Sequence, residues 1–207
     1  MKNNMTLGIA LIIIGLASII VGVVVLNKKD NTPVTTPQEK TSVEPIEKEK
    51  PKEPSDKEKG IDFEKFVVQK FSKKYFSVAE WTSDKYVNGI YAESNNHPDL
   101  TMRFQFHEIN KSFAVECKFR SDYYKDGVEW CKEPQLEKYR KYESDKNLKV
   151  FIIIGVGGVA SEPAELFIIP LDKIATAFLS KSFLSSYKKD NFKEANFFYE
   201  YEKEVLK

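Results

Sequence analysis

Residues 113–121 read FAVECKFRS, an alternation of apolar side chains interrupted by a glutamate and a lysine two positions apart. In an extended strand successive side chains point to opposite faces. Phe113, Val115, Cys117 and Phe119 therefore share one face, and Ala114, Glu116, Lys118 and Arg120 share the other. The first is a core face. The second sets a carboxylate beside an ammonium. Half-buried strands commonly turn a polar face to water, and that reading accounts for Glu116 and Lys118 taken alone. Two details point to more. The chain is rich in charge, yet this is its only acid-x-Lys triplet. The pair also sits inside a strongly apolar strand, where an uncompensated charge is costly.

The neighbouring segments form an ordered series. In GIDFEKFVVQKFSKKYF (60–76), Phe63, Phe66, Val67, Phe71 and Tyr75 recur at helical spacing, with Glu64 at the margin of the stripe. FSVAEWTSDKYV (76–87) predicts a strand. PDLTMRFQFHEI (98–109) alternates, with Met102, Phe104 and Phe106 opposite Thr101, Arg103 and Gln105. A turn near Asn110 and Lys111 then leads into the 113–121 strand as an antiparallel pair. EPQLEKYRKYESDKN (133–147) opens with a proline suited to a first helical turn. KVFIIIGVGG (149–158) is a continuous apolar run, expected to be a strand covered on both faces. AELFIIPL (164–171) predicts a further strand, and 171–189 and 192–206 read as mainly helical. Helix, three strands, helix, strand is the order of an α/β sandwich around a mixed sheet. The glycines of GVGGVA (155–160) fit no nucleotide fingerprint, and a turn leaving a buried strand explains them.

The first 59 residues have another character. Thr6 to Leu26 carries no charge and is long enough to span a bilayer as a helix, so residues 1–27 are expected to be a single transmembrane anchor. The run ends in NKKD rather than a small-x-small site, which argues against a cleaved signal peptide. Gly8, Gly15 and Gly22 recur every seven residues and could form a packing stripe. Lys28 and Lys29 after the span, against Lys2 before it, favour a cytoplasmic C-terminal portion. Cys117 and Cys131 agree with this, since they form no disulfide framework. Residues 28–59 are proline-rich, charged and free of aromatics, the composition of a disordered tether with a reach of about 30 Å. The remaining domain, 60–207, holds 23 basic and 23 acidic side chains. A near-zero net charge excludes a binder that grips nucleic acid by bulk charge alone.

Asp99 follows Pro98 at the head of the strand that pairs with 113–121, in that strand's polar series, so Asp99, Glu116 and Lys118 are expected to converge. Glu64 could approach from the preceding helix. PD followed sixteen residues later by ECK resembles the PD-(D/E)xK nuclease superfamily. Gln135 and Tyr139, in QLEKY, resemble the Q-x-x-x-Y element of RecB-type members. The resemblance covers roughly Gly60 to Gly158 and implies a restriction-endonuclease-like αβββαβ core. It implies Mg²⁺ or Mn²⁺ held by Asp99, Glu116 and the backbone carbonyl of Cys117, with Lys118 orienting water and offsetting phosphate charge. Glu64 sits where many members carry an extra helical acid. Gln135 and Tyr139 would brace the site or touch the nucleic-acid backbone.

Hydrolysis of a phosphodiester suits these residue types, because hard carboxylate oxygens hold a divalent cation that keeps several waters. Arg103, Arg120 and Arg140 could touch phosphates or pair with carboxylates. His97, in NHPD, reads as a loop residue beside proline, with a general-base role as the alternative. No cysteine–histidine spacing suggests zinc, and no serine–histidine–acid set stands out. The sequence thus points to a membrane-anchored, metal-dependent nuclease, most readily of DNA. The alternative is a catalytically silent module of the same fold that holds nucleic acid or protein at the membrane.

Overall fold

A computed structural model describes residues 53–82 and 97–207, together with the backbone of 86–87 and 90–91. The expected anchor and the tether up to residue 52 lie outside the described residues. Among the described residues no helix is long and apolar enough to cross a membrane.

Helix α1 (Asp56–Gln69) begins four residues ahead of the expected Gly60. The cause is a capping box. Ser55 Oγ accepts from the Glu58 N–H at 3.3 Å, and the Glu58 carboxylate accepts from the Ser55 N–H at 2.8 Å. Asp56–Lys59, read from composition as the end of the tether, are therefore helical. Phe63, Phe66 and Val67 form the buried stripe.

Strand β1 (Phe76–Trp81) follows, then a small hairpin of β2 (Tyr86–Val87) and β3 (Ile90–Tyr91), then β4 (Leu100–Phe106) and β5 (Ile109–Arg120). The β4–β5 turn falls at His107–Glu108, just before the expected Asn110–Lys111, with His107 in the left-handed region at φ 50°. After β6 (Gly127–Glu129), helix α2 (Glu133–Lys146) carries Pro134 in its first turn and ends at Asn147, which takes the left-handed cap conformation at φ 49°. Strands β7 (Lys149–Val159) and β8 (Glu162–Pro170) form a hairpin.

The main sheet runs β1-β4-β5-β7-β8. Its neighbours are antiparallel except β5 and β7, which are parallel and so need the crossover that α2 supplies. This is an α/β fold with a mixed central sheet, and its order fits the restriction-endonuclease-like core. The alternation along β5 and β7 separates two cores. Phe113, Val115, Cys117, Phe151 and Ile153 pack under α1. Ala114, Val150, Ile152 and Ile154 pack against Leu136, Tyr139 and Trp130 on the α2 side. Strand β7 is covered on both faces, as its apolar run predicts. The second face of β5 is covered as well, so it is no solvated face.

Gly155 lets α1 approach β7. A Cβ there would stand 2.4 Å from the Phe63 ring, which is fully buried. We expect Gly155→Ala to destabilise the domain by about 1–3 kcal/mol, read as a lower midpoint in thermal or urea unfolding. Gly157 and Gly158 adopt positive φ, 70° and 67°, but lie within β7; the turn expected at these glycines falls later, at residues 160–161.

The segment after Leu171 departs from expectation. It contains a 3-10 turn (Leu171–Lys173), β9 (Phe178–Ser180), a five-residue α3 (Lys181–Ser185) and a final small hairpin of β10 (Tyr199–Glu200) and β11 (Val205–Leu206). Two of its aromatic residues dock individually on the core under α1. Phe197 meets Phe71 at 5.1 Å between ring centroids, and Tyr199 stacks on Phe113 at 4.6 Å.

Candidate active site

The site forms where β4 parts from β5. Their ladder pairs Leu100 with Val115, and one residue further back β4 ends while β5 runs on to Arg120. The N–H of Cys117 would lose its partner at this fork, and Asp99 supplies one: Oδ2 accepts from Cys117 N at 2.8 Å. In return the Asp99 N–H donates to Glu116 Oε2 at 3.2 Å. The Asp99 carbonyl accepts from the Thr82 N–H at 2.7 Å, which ties the end of β1 to the same point. Asp99 and Glu116, distant in sequence, are thus held together by backbone geometry.

Glu116 is 1% exposed, the one buried charged side chain among the described residues. Its Oε1 accepts from the Lys118 ammonium and, at 2.5 Å, from the Tyr139 hydroxyl on α2. Gln135, one helical turn earlier, donates from Nε2 to the Tyr139 oxygen at 2.6 Å. The tyrosine therefore receives from Gln135 and gives to Glu116, so both hydroxyl roles are used in one direction. Gln135 and Tyr139 lie one helical turn apart on α2, and of the two only Tyr139 reaches Glu116.

A cleft of about 900 Å³ brings Asp99 and Lys118 together with Glu64 from α1 and the backbone of Cys117. The Cys117 side chain points away, into the core under α1. Glu64 accepts from the Trp81 indole N–H at 2.7 Å. Trp81 is 45% exposed at the end of the edge strand β1, and sequence reasoning missed it. Its only sequence signal is a large aromatic at the end of an alternating strand, a signal that many strands share.

The electrostatics of the fork are uneven. Burial, and then the Glu116 charge, push the Asp99 carboxyl well above the usual carboxylate range; Lys118 opposes this and Glu64 adds to it. Burial works to lower the Lys118 ammonium, but the charges of Glu116 and Asp99 outweigh it and raise the net value. Lys118 therefore stays charged at neutral pH. Burial and the neighbouring Glu116 also raise the Tyr139 phenol, which keeps its proton and acts as a donor.

These residues fit a divalent cation. Three carboxylates, Glu64, Asp99 and Glu116, stand with one ammonium here, so the fork carries a surplus of negative charge. No group of three or more His, Cys, Asp or Glu side chains among the described residues is arranged as a metal cage. The donors at the fork are hard carboxylate oxygens, of which Mg²⁺ takes one or two while it keeps waters.

Of the arginines named from the sequence, Arg140 pairs with a carboxylate, as one alternative had it, and Arg120 is held by carbonyls. Arg120 donates to the carbonyls of Phe119, Glu129 and Trp130, and Arg140 to those of Ile174 and Ala175 as well as to Glu137. Both brace chain segments. Arg103 lies exposed on β4, away from the fork. His97 packs its ring on Tyr142, 5.0 Å between centroids.

No family model matches this chain, and no curated protein sequence does. Among solved structures it is similar to Hjc, a Holliday junction resolvase from the archaeal hyperthermophile Archaeoglobus fulgidus. The two are 13% identical with a TM-score of 0.44, over 62% of this chain and 93% of that one.

Proposed function

We propose that this protein is a divalent-metal-dependent nuclease that hydrolyses phosphodiester bonds, with DNA as its substrate. One observation carries the reading. The fold buries a glutamate at a strand fork, places an aspartate against it and gives it a lysine and a tyrosine as partners. Burying such a charge costs several kcal/mol before its partners compensate. A structural role would be met more cheaply by an apolar side chain.

Asp99, Glu116 and the Cys117 carbonyl would hold Mg²⁺ or Mn²⁺, which supplies charge neutralisation at the phosphate and acidifies water. Lys118 brings a positive charge to the cleft that would offset the charge of a bound phosphate. Tyr139 and Gln135 keep the Glu116 carboxylate in one orientation. Glu64, held by Trp81, faces the cleft from the other wall and can accept a proton from a water.

The test is cleavage by the purified full chain of linear, circular and branched DNA with Mg²⁺ or Mn²⁺, against a chelator. Metal-dependent cutting supports the reading. Binding without cutting under every metal condition would favour the silent binding module.

Residues 1–27 would anchor the enzyme in a membrane and 28–55 would tether it, a reading supported by sequence alone. Lys28 and Lys29 favour a cytoplasmic nuclease domain. A reporter fused after Lys207 should then be active only when it is a cytoplasmic reporter; activity of an exported reporter would reverse the orientation.

A further inference from the structure

A second cleft, of about 430 Å³, also reaches Lys118 and is lined in part by Lys132, Gln135 and Tyr124. Lys118 and Arg120 belong to both clefts, so the two meet at the lysine of the fork. Tyr124 is 59% exposed, although burial of so large a ring would be favourable. Nothing in the packing of the domain requires it there.

The backbone that carries the ring is nevertheless fixed. Tyr124 and Gly127 exchange backbone hydrogen bonds of 3.0 and 3.2 Å across a tight turn, with Lys125 in the left-handed region at φ 53°. Gly127 lies directly on β9, where a Cβ would stand 2.2 Å from the Leu179 carbonyl oxygen. The preceding Tyr123 donates its hydroxyl to Glu165 of β8 at 2.5 Å and carries the Lys181 ammonium 4.4 Å from its ring centroid. Lys125 Nζ stands 5.2 Å from the Tyr124 ring centroid. The two acids of this cleft are already engaged: Glu129 accepts from Lys132 at 2.6 Å, and Asp122 from the Tyr123 N–H at 2.7 Å. The result is an exposed aromatic ring on a fixed turn, with Lys125 beside it and Lys118 and Lys132 lining the same cleft, next to the site proposed to cut phosphodiesters.

We infer that Tyr124, carried on the 124–127 turn with Lys125, is a stacking platform for an unpaired base of the strand whose phosphate lies at Lys118. This rests on the nuclease reading for the position of the phosphate. An aromatic ring stacks on any base, because every base has a π-face, and a fixed turn orders it at low entropic cost. A base inside an intact duplex has both faces covered, so the preferred substrate has unpaired nucleotides next to the scissile bond. Lys125 adds a sequence-independent phosphate contact.

The test uses the full chain in detergent micelles with chelator present, so that the strand stays intact. DNA carrying an unpaired stretch is labelled with 2-aminopurine at successive positions, and binding is followed by anisotropy and base fluorescence. The native chain should quench one or two adjacent positions. Tyr124→Leu should abolish that quenching and weaken binding by about 5- to 150-fold, the range for one stacked base. Tyr124→Phe should keep both, and Lys125→Ala should lower the slope of log affinity against log salt by about one. If the Leu variant binds and quenches like the native chain, or the Phe variant fails like Leu, the platform is wrong. Quenching through Tyr124 in a chain that never cuts with Mg²⁺ or Mn²⁺ would sink the nuclease reading and leave the platform standing. A native chain that binds no nucleic acid overturns both.

Discussion

Replacing Lys118 by alanine is expected to cut turnover by about three orders of magnitude, in line with loss of a group that stabilises transition-state charge. Metal should still bind. The carboxylates of Asp99 and Glu116 stay in place, and removing the competing ammonium from Glu116 leaves their attraction for a cation at least as strong. Glu116→Ala and Asp99→Ala should behave differently, because each deletes a proposed ligand and so lowers metal affinity and turnover together. Mn²⁺ titrations of each variant, followed by cleavage of a labelled duplex and by calorimetry, separate the two patterns. Native-level cutting by both the Lys118 and Glu116 variants would place the chemistry elsewhere.

Gln135→Ala should fall between these limits. Gln135 touches the Tyr139 oxygen and not the carboxylate, so its loss loosens the orientation of a partner and leaves the charges intact. Residues in this supporting position typically cost 10- to 100-fold when removed, roughly the range expected here.

The centre of the fold was legible because it is written in short-range patterns. The alternation in FAVECKFRS assigns Glu116 and Lys118 to one face, and that face does lie apart from the one holding Phe113 and Val115. What period two cannot show is whether that face meets water or a helix, and α2 covers it. The four-residue spacing of Gln135 and Tyr139 likewise reports a shared helix face without naming what lies opposite. The long-range pairs were beyond reach. Arg120 and Arg140 donate to carbonyls that only the folded chain brings near, 9 to 35 residues away in sequence. The stretch after Leu171 misled for a related reason. Aromatic residues three to five apart suit a helix stripe, but they equally suit a chain that winds over two cores and docks each ring into its own gap. Ser55 and Glu58 did spell a capping box, which the surrounding charged, proline-rich composition concealed.

The metal-free domain should lose stability as pH rises, and Asp99 is the cause. Its carboxyl is raised in the folded state by burial and by the charge of Glu116. A group raised on folding contributes stability that is full below its unfolded value, about 3.9 for aspartate. That contribution fades as pH climbs through the raised folded value, since the folded chain must then carry an ionised carboxylate beside Glu116. Asp99→Asn removes the titration while keeping an oxygen to accept from the Cys117 N–H, so the variant should unfold at a higher temperature than the native chain at pH 7. The difference should shrink towards pH 4. Mg²⁺ should restore the native chain, because a ligand at about 100 times its Kd adds about 2.7 kcal/mol, and it should do much less for the Asn variant. Thermal unfolding from pH 4 to 8, with and without Mg²⁺, decides the matter without reference to cleavage. An Asn variant that melts below the native chain at pH 7, or that gains as much from Mg²⁺, would show that Asp99 is held at the fork for structure and not for a cation.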